Sequence, residues 1–210
     1  MLTATAIARP SILRMIPDLS GPDVPLSHLL DADGNLYVFA YGSLIWKPGF
    51  AVAAEHAALL RGYHRHFCVR STRYRGTPER PGLVLGLDRG GSCRGVALQV
   101  AGEQAHPVLR YLAEREMSGG SYRQVSLPVR LLDQGREVQA VSYVVDRRSA
   151  TYCGVLEPEA VATAIARSAG GMGSNRDYLL NTLSQLRARG VRDLGLERLA
   201  MLLPPIEAEG

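Results

Sequence analysis

The stretch Tyr37-Val38-Phe39-Ala40-Tyr41-Gly42-Ser43-Leu44-Ile45-Trp46-Lys47-Pro48-Gly49 joins an apolar segment to a glycine turn. Its first five residues are apolar or aromatic, which is typical of a strand buried on both faces. Gly42-Ser43 follows at once, so the chain turns where it leaves the core, and glycine lets the backbone approach a ligand closely. Such a turn can direct consecutive N–H groups at one point and bind an anion. A tight turn between two strands is the simpler interpretation of Gly42-Ser43 taken alone.

The composition indicates a globular protein with one substantial core. The chain has 210 residues, of which 46% are hydrophobic and 21% are charged, and this predicts one or at most two domains. Most of the positive charge is arginine, and Lys47 is the only lysine. The arginines run from Arg9 to Arg198 instead of clustering on one helix or tail. We therefore expect no nucleic-acid partner.

The cysteines and the N-terminal segment indicate a reducing compartment. Cys68, Cys93 and Cys153 are far apart, and no CxxC or His/Cys ligand spacing occurs. Neither a disulfide framework nor a zinc site is predicted from this spacing. Residues 1–17 lack an apolar segment long enough for secretion, and no stretch reaches membrane-spanning length. We expect a cytoplasmic protein with no membrane association.

The pattern of turns and periodic segments predicts one α+β domain at 36–210 behind an irregular N-terminal arm at 1–35. Prolines make the arm irregular, and a short helix is predicted near 26–32. The predicted strands are 36–41, 59–71, 83–88, 93–100, 122–132 and 136–146, with a hairpin of 83–88 and 93–100 around Arg89-Gly90-Gly91-Ser92. The predicted helices are 103–117, 158–169, 176–189, capped by Asn175, and 193–203. This order favours a mostly antiparallel sheet or barrel.

Glu116 is the main candidate for acid–base chemistry. It follows Leu109 and Leu112 at helical spacing, which places its carboxylate on the core side near the end of the predicted 103–117 helix. A carboxylate at the edge of an apolar face tends to have a raised pKa, which suits a general acid or base near neutral pH. An ordinary solvated glutamate near a helix end is the alternative.

Other candidate residues give weaker signals. His64-x-His66 could present two ligands on one strand face, but no third ligand follows closely, so an exposed pair is the better interpretation. Gly42-Ser43-Leu44 does not have the G-x-S-x-G spacing of a hydrolase nucleophile. We therefore predict neither a metal site nor a serine nucleophile.

Four segments together resemble the ChaC family of γ-glutamylcyclotransferases, enzymes that degrade glutathione. They are Tyr41–Pro48, Arg75–Gly82, Tyr111–Met117 and Ile165–Leu179, and they occur in the family's order. The resemblance implies a small, mostly antiparallel β-barrel wrapped by helices, with no cofactor. It also implies a γ-glutamyl-binding loop at Tyr41-Gly42-Ser43-Leu44 and a catalytic glutamate at Glu116. Tyr143 is similar to a tyrosine on a late strand of many relatives.

Cyclisation of a γ-glutamyl group accounts for these residue types. The substrate's own α-amine attacks its γ-carbonyl, so the enzyme must supply one group that carries a proton to the leaving amine, the role implied for Glu116. Backbone N–H groups of Gly42, Ser43 and Leu44 would bind the developing oxyanion and the α-carboxylate. The glycine carboxylate of glutathione would bind one of three arginines: Arg70, Arg73 or Arg75.

The expected function is therefore that of a glutathione-specific γ-glutamylcyclotransferase, which releases 5-oxoproline and Cys-Gly. The same chemistry on other γ-glutamyl amines or dipeptides is one alternative. A catalytically silent module that binds the γ-glutamyl group is another. We expect a monomer, with a weak homodimer as the alternative.

Overall fold

The computed structural model describes residues 14–15 and 25–205, which form a barrel of strands with helices packed around it. The strands are β1 Arg14–Met15, β2 Leu36–Ala40, β3 Ala54–Ser71, β4 Gly82–Val100, β5 Tyr122–Leu131, β6 Glu137–Val145, β7 Ala169–Gly170 and β8 Gly173–Ser174. The helices are α1 Ala105–Met117, α2 Pro158–Arg167, α3 Asn175–Ala188 and α4 Leu194–Met201, with 3-10 turns at Ser43–Ile45 and Gly102–Gln104.

Five strands close the barrel in the order β5-β3-β4-β2-β6, and β6 pairs back onto β5. The β2–β6 pair is parallel, and the other pairs of the barrel are antiparallel. Closure leaves these five strands without a free edge, and β1 pairs with β5 outside the ring. All five residues of β2 are buried, as expected for a strand covered on both faces. The predicted α+β barrel, mostly antiparallel and wrapped by helices, is confirmed.

The helices pack their apolar faces against the barrel and against each other. In α1 the buried side chains include Val108, Leu109 and Leu112, so the predicted helix at 103–117 is confirmed apart from its opening 3-10 turn. The three C-terminal helices contact one another, and α2 and α3 also contact β4. Within the part of the chain that the structure describes, no helix combines the length and apolar character needed to cross a bilayer.

The predicted hairpin of 83–88 and 93–100 is wrong. These residues belong to one continuous strand, β4, and its antiparallel partner along the whole length is β3. The chain reverses instead in the loop 72–81, between Ser71 and Gly82. Gly90 has a φ of +102°, and the register of the pair shifts close by, between Arg61 and Tyr63. A bulge of this kind bends a two-stranded ribbon without reversing it.

Two smaller predictions also fail. Residues 26–32 form a single hydrogen-bonded turn, from the N–H of Leu29 to the oxygen of Leu26, instead of a helix, and Leu29 is buried in the core. Asn175 does not cap α3; the Ser174 hydroxyl does, accepting the N–H of Asp177 at 2.9 Å. Most of the predicted irregular arm, residues 1–13 and 16–24, lies outside the described residues.

Candidate functional site

The turn after β2 packs tightly on a tyrosine of α3. The Ile45 N–H donates to the Gly42 oxygen at 3.0 Å, which closes the 3-10 turn. A Cβ on Gly42 would lie 3.2 Å from the Tyr178 hydroxyl, so glycine permits this close approach. The first N–H groups of any helical turn have no acceptor within it. Ser43 and Leu44 supply the first N–H groups of this 3-10 turn, and these groups can donate to a ligand.

Glu116 lies in the last turn of α1, and its side chain is largely buried, with 17% of its surface exposed. Burial raises the pKa of its carboxyl group, and the neighbouring Arg115 guanidinium acts in the opposite direction. The Arg115 Nε lies 3.0 Å from the Glu116 Oε1. A carboxyl group with a raised pKa and limited access to solvent is suited to proton transfer near neutral pH.

Arg115 connects this end of α1 to the turn after β2. Its Nη1 donates to the Lys47 oxygen at 2.6 Å, to the Pro48 oxygen at 3.2 Å and to the Tyr111 hydroxyl at 3.0 Å. Its Nη2 donates to the Ser43 Oγ at 3.1 Å. One guanidinium thus contacts both the Glu116 carboxylate and the turn that begins at Ser43. The two parts of the predicted site are brought together by it.

Two buried tyrosines, Tyr41 and Tyr178, and the half-buried Tyr122 interact electrostatically with Glu116. Burial raises the pKa of the Tyr41, Tyr122 and Tyr178 hydroxyls, and the negative charge of Glu116 is a further cause for each of them. The pKa of all three phenol groups therefore lies above its ordinary value. Each phenol therefore stays protonated near neutral pH and remains a potential hydrogen-bond donor.

The tyrosine hydroxyls hold backbone groups of the barrel wall. The Tyr122 hydroxyl donates to the Leu85 oxygen at 2.8 Å, and the Tyr178 hydroxyl has a backbone hydrogen bond with the same residue. The Tyr41 hydroxyl donates to the Tyr143 oxygen at 2.8 Å. The wall beside Glu116 is therefore fixed in part by side chains from β5 and α3.

The other predicted binding residues contact different parts of the fold. Arg75 stacks on the Tyr178 ring, with its Cζ 5.2 Å from the ring centroid, and its Nη1 donates to the Met172 oxygen at 2.6 Å. Tyr143 is buried in the core at 2% exposure. Arg70 is exposed on β3 near Cys153. Among the hydrogen bonds, ion pairs and ring contacts of the described residues, none joins Arg70 to Glu116 or to 41–44.

Residues that could hold a metal do not cluster in the described part of the chain, where no group of three or more His, Cys, Asp or Glu side chains has a suitable arrangement. The predicted exposed histidine pair is half-buried: His64 and His66 stack with ring centroids 4.8 Å apart. His66 also lies 3.4 Å from the carboxylate of Asp88. These side chains form a separate cluster, beside a cavity of about 170 Å³ that Asp88 helps to line.

Three contributors to the site had no role assigned from the sequence: Arg115, Tyr122 and Tyr178. Arg115 could have been identified from its spacing, because Tyr111 lies four residues before it on the same helix face. Tyr178 falls within the segment Ile165–Leu179 and the predicted helix 176–189, but neither assigned it a role. No sequence signal indicated that Tyr122 would turn its hydroxyl towards Leu85.

Comparison with known proteins identifies close relatives of this chain. The model of the family described as ChaC-like protein matches residues 36–204. A protein of Escherichia coli (strain K12), named glutathione-specific gamma-glutamylcyclotransferase, is 34% identical over 177 residues, covering 84% of this chain and 76% of the relative. The human protein named glutathione-specific gamma-glutamylcyclotransferase 1 is 37% identical over 172 residues, covering 78% of this chain and 77% of the relative.

Solved structures agree in fold. The crystal structure of the yeast γ-glutamyl cyclotransferase specific to glutathione superposes with a TM-score of 0.72 at 24% identity, covering 80% of this chain and 95% of that one. At this level of identity the likeness supports the fold alone. The family match, by contrast, covers the barrel, the turn after β2, Glu116 and the C-terminal helices. The chain belongs to the ChaC-like family.

Proposed function

We propose that the protein is a glutathione-specific γ-glutamylcyclotransferase in which Glu116 is the general acid and base. The observation that carries the proposal is the position of the largely buried Glu116 carboxylate, which Arg115 joins to the turn after β2. The names of the bacterial and human relatives support glutathione as the substrate.

The reaction is an internal acyl transfer. Glu116 accepts a proton from the α-ammonium of the γ-glutamyl group, and the freed amine attacks the γ-carbonyl to form a five-membered lactam. The C–N bond to cysteine then breaks. Glu116 returns its proton to the leaving amine, and the second proton of the attacking nitrogen also passes to that amine, so the lactam nitrogen keeps one hydrogen and Cys-Gly leaves as the ammonium form. The products are 5-oxoproline and Cys-Gly. No water is consumed, and Glu116 ends as the carboxylate with which it began.

The turn after β2 supplies the binding contacts of this proposal. N–H groups of Gly42, Ser43 and Leu44 would donate to the γ-carbonyl oxygen, where negative charge develops, and to the α-carboxylate. The Tyr41 hydroxyl is already bonded to the Tyr143 oxygen, so it would act by shaping the pocket. Holding the flexible γ-glutamyl chain with its amine against its carbonyl supplies an orientation effect of up to about 11 kcal/mol.

Arginine side chains would bind the Cys-Gly side of the substrate. Arg75 directs Nη1 at backbone carbonyls and stacks on Tyr178, so it would bind the glycine carboxylate through its remaining N–H groups. Arg70 is exposed and would be the alternative partner of that carboxylate. The buried Tyr143 would act on the substrate through Tyr41, whose hydroxyl donates to the Tyr143 oxygen.

The deciding experiment compares formation of 5-oxoproline from glutathione by wild type, Glu116→Gln and Glu114→Gln. Glu114 is exposed on the same helix and is the matched control. Loss of the proton carrier should lower kcat/KM by about 10²- to 10⁴-fold, whereas Glu114→Gln should match wild type. In wild type, kcat/KM should rise with pH through the raised pKa of Glu116, because the ionised form is the base.

Four results would count against the proposal. Absence of 5-oxoproline with wild type would refute it, and so would full activity of Glu116→Gln. Faster turnover of γ-glutamyl dipeptides than of glutathione would reject glutathione specificity and keep the chemistry. Calorimetric binding of glutathione without turnover would identify a silent binding module instead.

We also propose that the protein acts as a cytoplasmic monomer. Cys68, Cys93 and Cys153 are free thiols in the structure, which fits a reducing compartment. Size-exclusion chromatography with light scattering would measure the oligomeric state, and cell fractionation would measure the location.

A further inference from the structure

Arg115 makes an unusual contact with the residue that follows it. Neighbouring residues on a helix point about 100° apart, so an arginine and a glutamate in consecutive positions do not normally face each other. Here the Arg115 side chain folds back so that its Nε lies 3.0 Å from the Glu116 Oε1. The ring of Tyr111, one helical turn earlier, supports the guanidinium at 6.0 Å from ring centroid to Cζ. This conformation is held by specific contacts.

The remaining donors of Arg115 are directed at the turn after β2. Nη1 reaches the oxygens of Lys47 and Pro48, and Nη2 reaches the Ser43 Oγ. A guanidinium is a rigid planar fork with five N–H donors, so fixing one edge of it orients the other. A lysine has the charge but lacks this fork. The geometry therefore requires arginine in particular.

This ion pair differs from the surface pairs of the same protein. The side chains of Arg115 and Glu116 are 21% and 17% exposed, whereas Arg148 in its pair with Asp146 is 82% exposed. Exposed ion pairs contribute little to stability, because solvent screens their charges and both side chains lose conformational entropy. Arg115 is shielded and has several partners, so its contacts fix the relative position of the groups it joins.

We propose that Arg115 is a positioning residue that holds the Glu116 carboxylate and the turn after β2 in one fixed arrangement. This inference rests on the proposed function, in which both parts contact the same substrate. The contact with Ser43 has a direct consequence: because the Ser43 Oγ accepts the N–H of Arg115, its own hydroxyl proton remains available to donate towards the substrate.

The positive charge of Arg115 also acts on the pKa of the Glu116 carboxyl group. Burial raises the pKa of Glu116, and the positive charge of Arg115 lowers it. When the charge is removed, burial acts with less opposition and the pKa of Glu116 rises. A larger fraction of Glu116 is then protonated at a given pH, so the acidic limb of kcat/KM moves to higher pH.

The test uses Arg115→Gln, Arg115→Lys and the control Arg110→Gln, an exposed arginine on the same helix. Initial rates with glutathione are measured from acidic to basic pH. We expect Arg115→Gln to lower kcat by about 10- to 100-fold, with a smaller effect on KM, because the base is misplaced. Its acidic limb should move to higher pH. Arg115→Lys should lower kcat with a smaller movement of the limb, and Arg110→Gln should match wild type.

A second measurement does not depend on turnover. The pH titration of the Glu116 side-chain carboxyl carbon, followed by ¹³C NMR, should show a higher pKa in Arg115→Gln than in wild type. Wild-type kcat and an unmoved limb in an active Arg115→Gln would overturn the positioning role and leave the proposed function intact. If wild type does not cyclise glutathione, the proposed function fails, and an unchanged Glu116 titration would then overturn the Arg115 inference separately. If Arg115→Gln does not fold, Arg115→Lys with unchanged kcat would overturn it.

Discussion

Replacing Gly49 by alanine should damage the protein more than the same change at Gly34, and the two sites differ in one respect. Both have positive φ, +82° at Gly49 and +78° at Gly34. A Cβ at Gly34 would meet no atom within 4 Å, whereas a Cβ at Gly49 would overlap the Tyr111 hydroxyl and lie 2.6 Å from its Cζ. Gly34→Ala thus measures the backbone cost alone, and Gly49→Ala adds a steric conflict.

The expected magnitudes follow from these two terms. A non-glycine residue at positive φ costs about 1–2 kcal/mol. Overpacking adds about 1–3 kcal/mol, so Gly49→Ala should lower the free energy of unfolding by about 2–5 kcal/mol and Gly34→Ala by about 1–2. In a protein of this size, about 1 kcal/mol corresponds to a Tm change of about 2–4 °C.

Urea denaturation of the wild type and both variants would measure the difference, alongside 5-oxoproline formation. Movement of the Tyr111 ring would also displace an acceptor of Arg115, so Gly49→Ala should lose activity while Gly34→Ala keeps it. Adding Tyr111→Leu, which removes the overlapping ring atoms, should make the combined loss of stability less than additive. Equal destabilisation by the two glycine variants would refute the reasoning.

Two further predictions concern stability. Burial opposes the charge of Asp88, yet the hydrogen bond from Arg147 and its other partners hold its pKa at about 2. Because this pKa is below the ordinary value, the ionised Asp88 stabilises the fold by about 2 kcal/mol above about pH 4, and this stabilisation is lost towards pH 2. Urea unfolding of Asp88→Asn should therefore show a deficit in the free energy of unfolding that shrinks in acid. A deficit that stays constant with pH would contradict the prediction. Asn175→Ala should cost about 2–4 kcal/mol, because it leaves the buried N–H and oxygen of Leu83 without their partners. Thermal unfolding would show this, and the exposed Asn181→Ala should be near neutral.

The elements that could be predicted from the sequence are those with a local pattern. The apolar run at 37–41 and the helical spacing of Leu109 and Leu112 both identify their elements without reference to distant residues. The segment Arg89-Gly90-Gly91-Ser92 could not be interpreted in this way. Glycine at positive φ occurs both in turns and in bulges, and only the pairing with β3 decides between them.

The candidate site likewise combines residues with local sequence motifs and residues whose role depends on distant contacts. Glu116 and the turn after β2 carry recognisable local motifs, and Arg115 contacts both of them in the structure. The role of Arg115 depends on carbonyl groups 67 and 68 residues away, and no local pattern reports such a contact. Arg75 was predicted as an anion-binding residue from its charge alone. In the structure much of its guanidinium is occupied by the Met172 carbonyl and the Tyr178 ring.

Lys47 gives the protein a practical property. It is exposed, its backbone oxygen accepts from Arg115, and it carries the only lysine amine in the sequence. Amine-reactive dyes, cross-linkers and activated surfaces would therefore modify one side chain, in addition to the N-terminal amine, at the edge of the candidate site. A fluorophore attached there would report substrate binding. Immobilisation through the same amine would hold the protein by the edge of its own site, so inactivity on such a surface would say nothing about the chemistry.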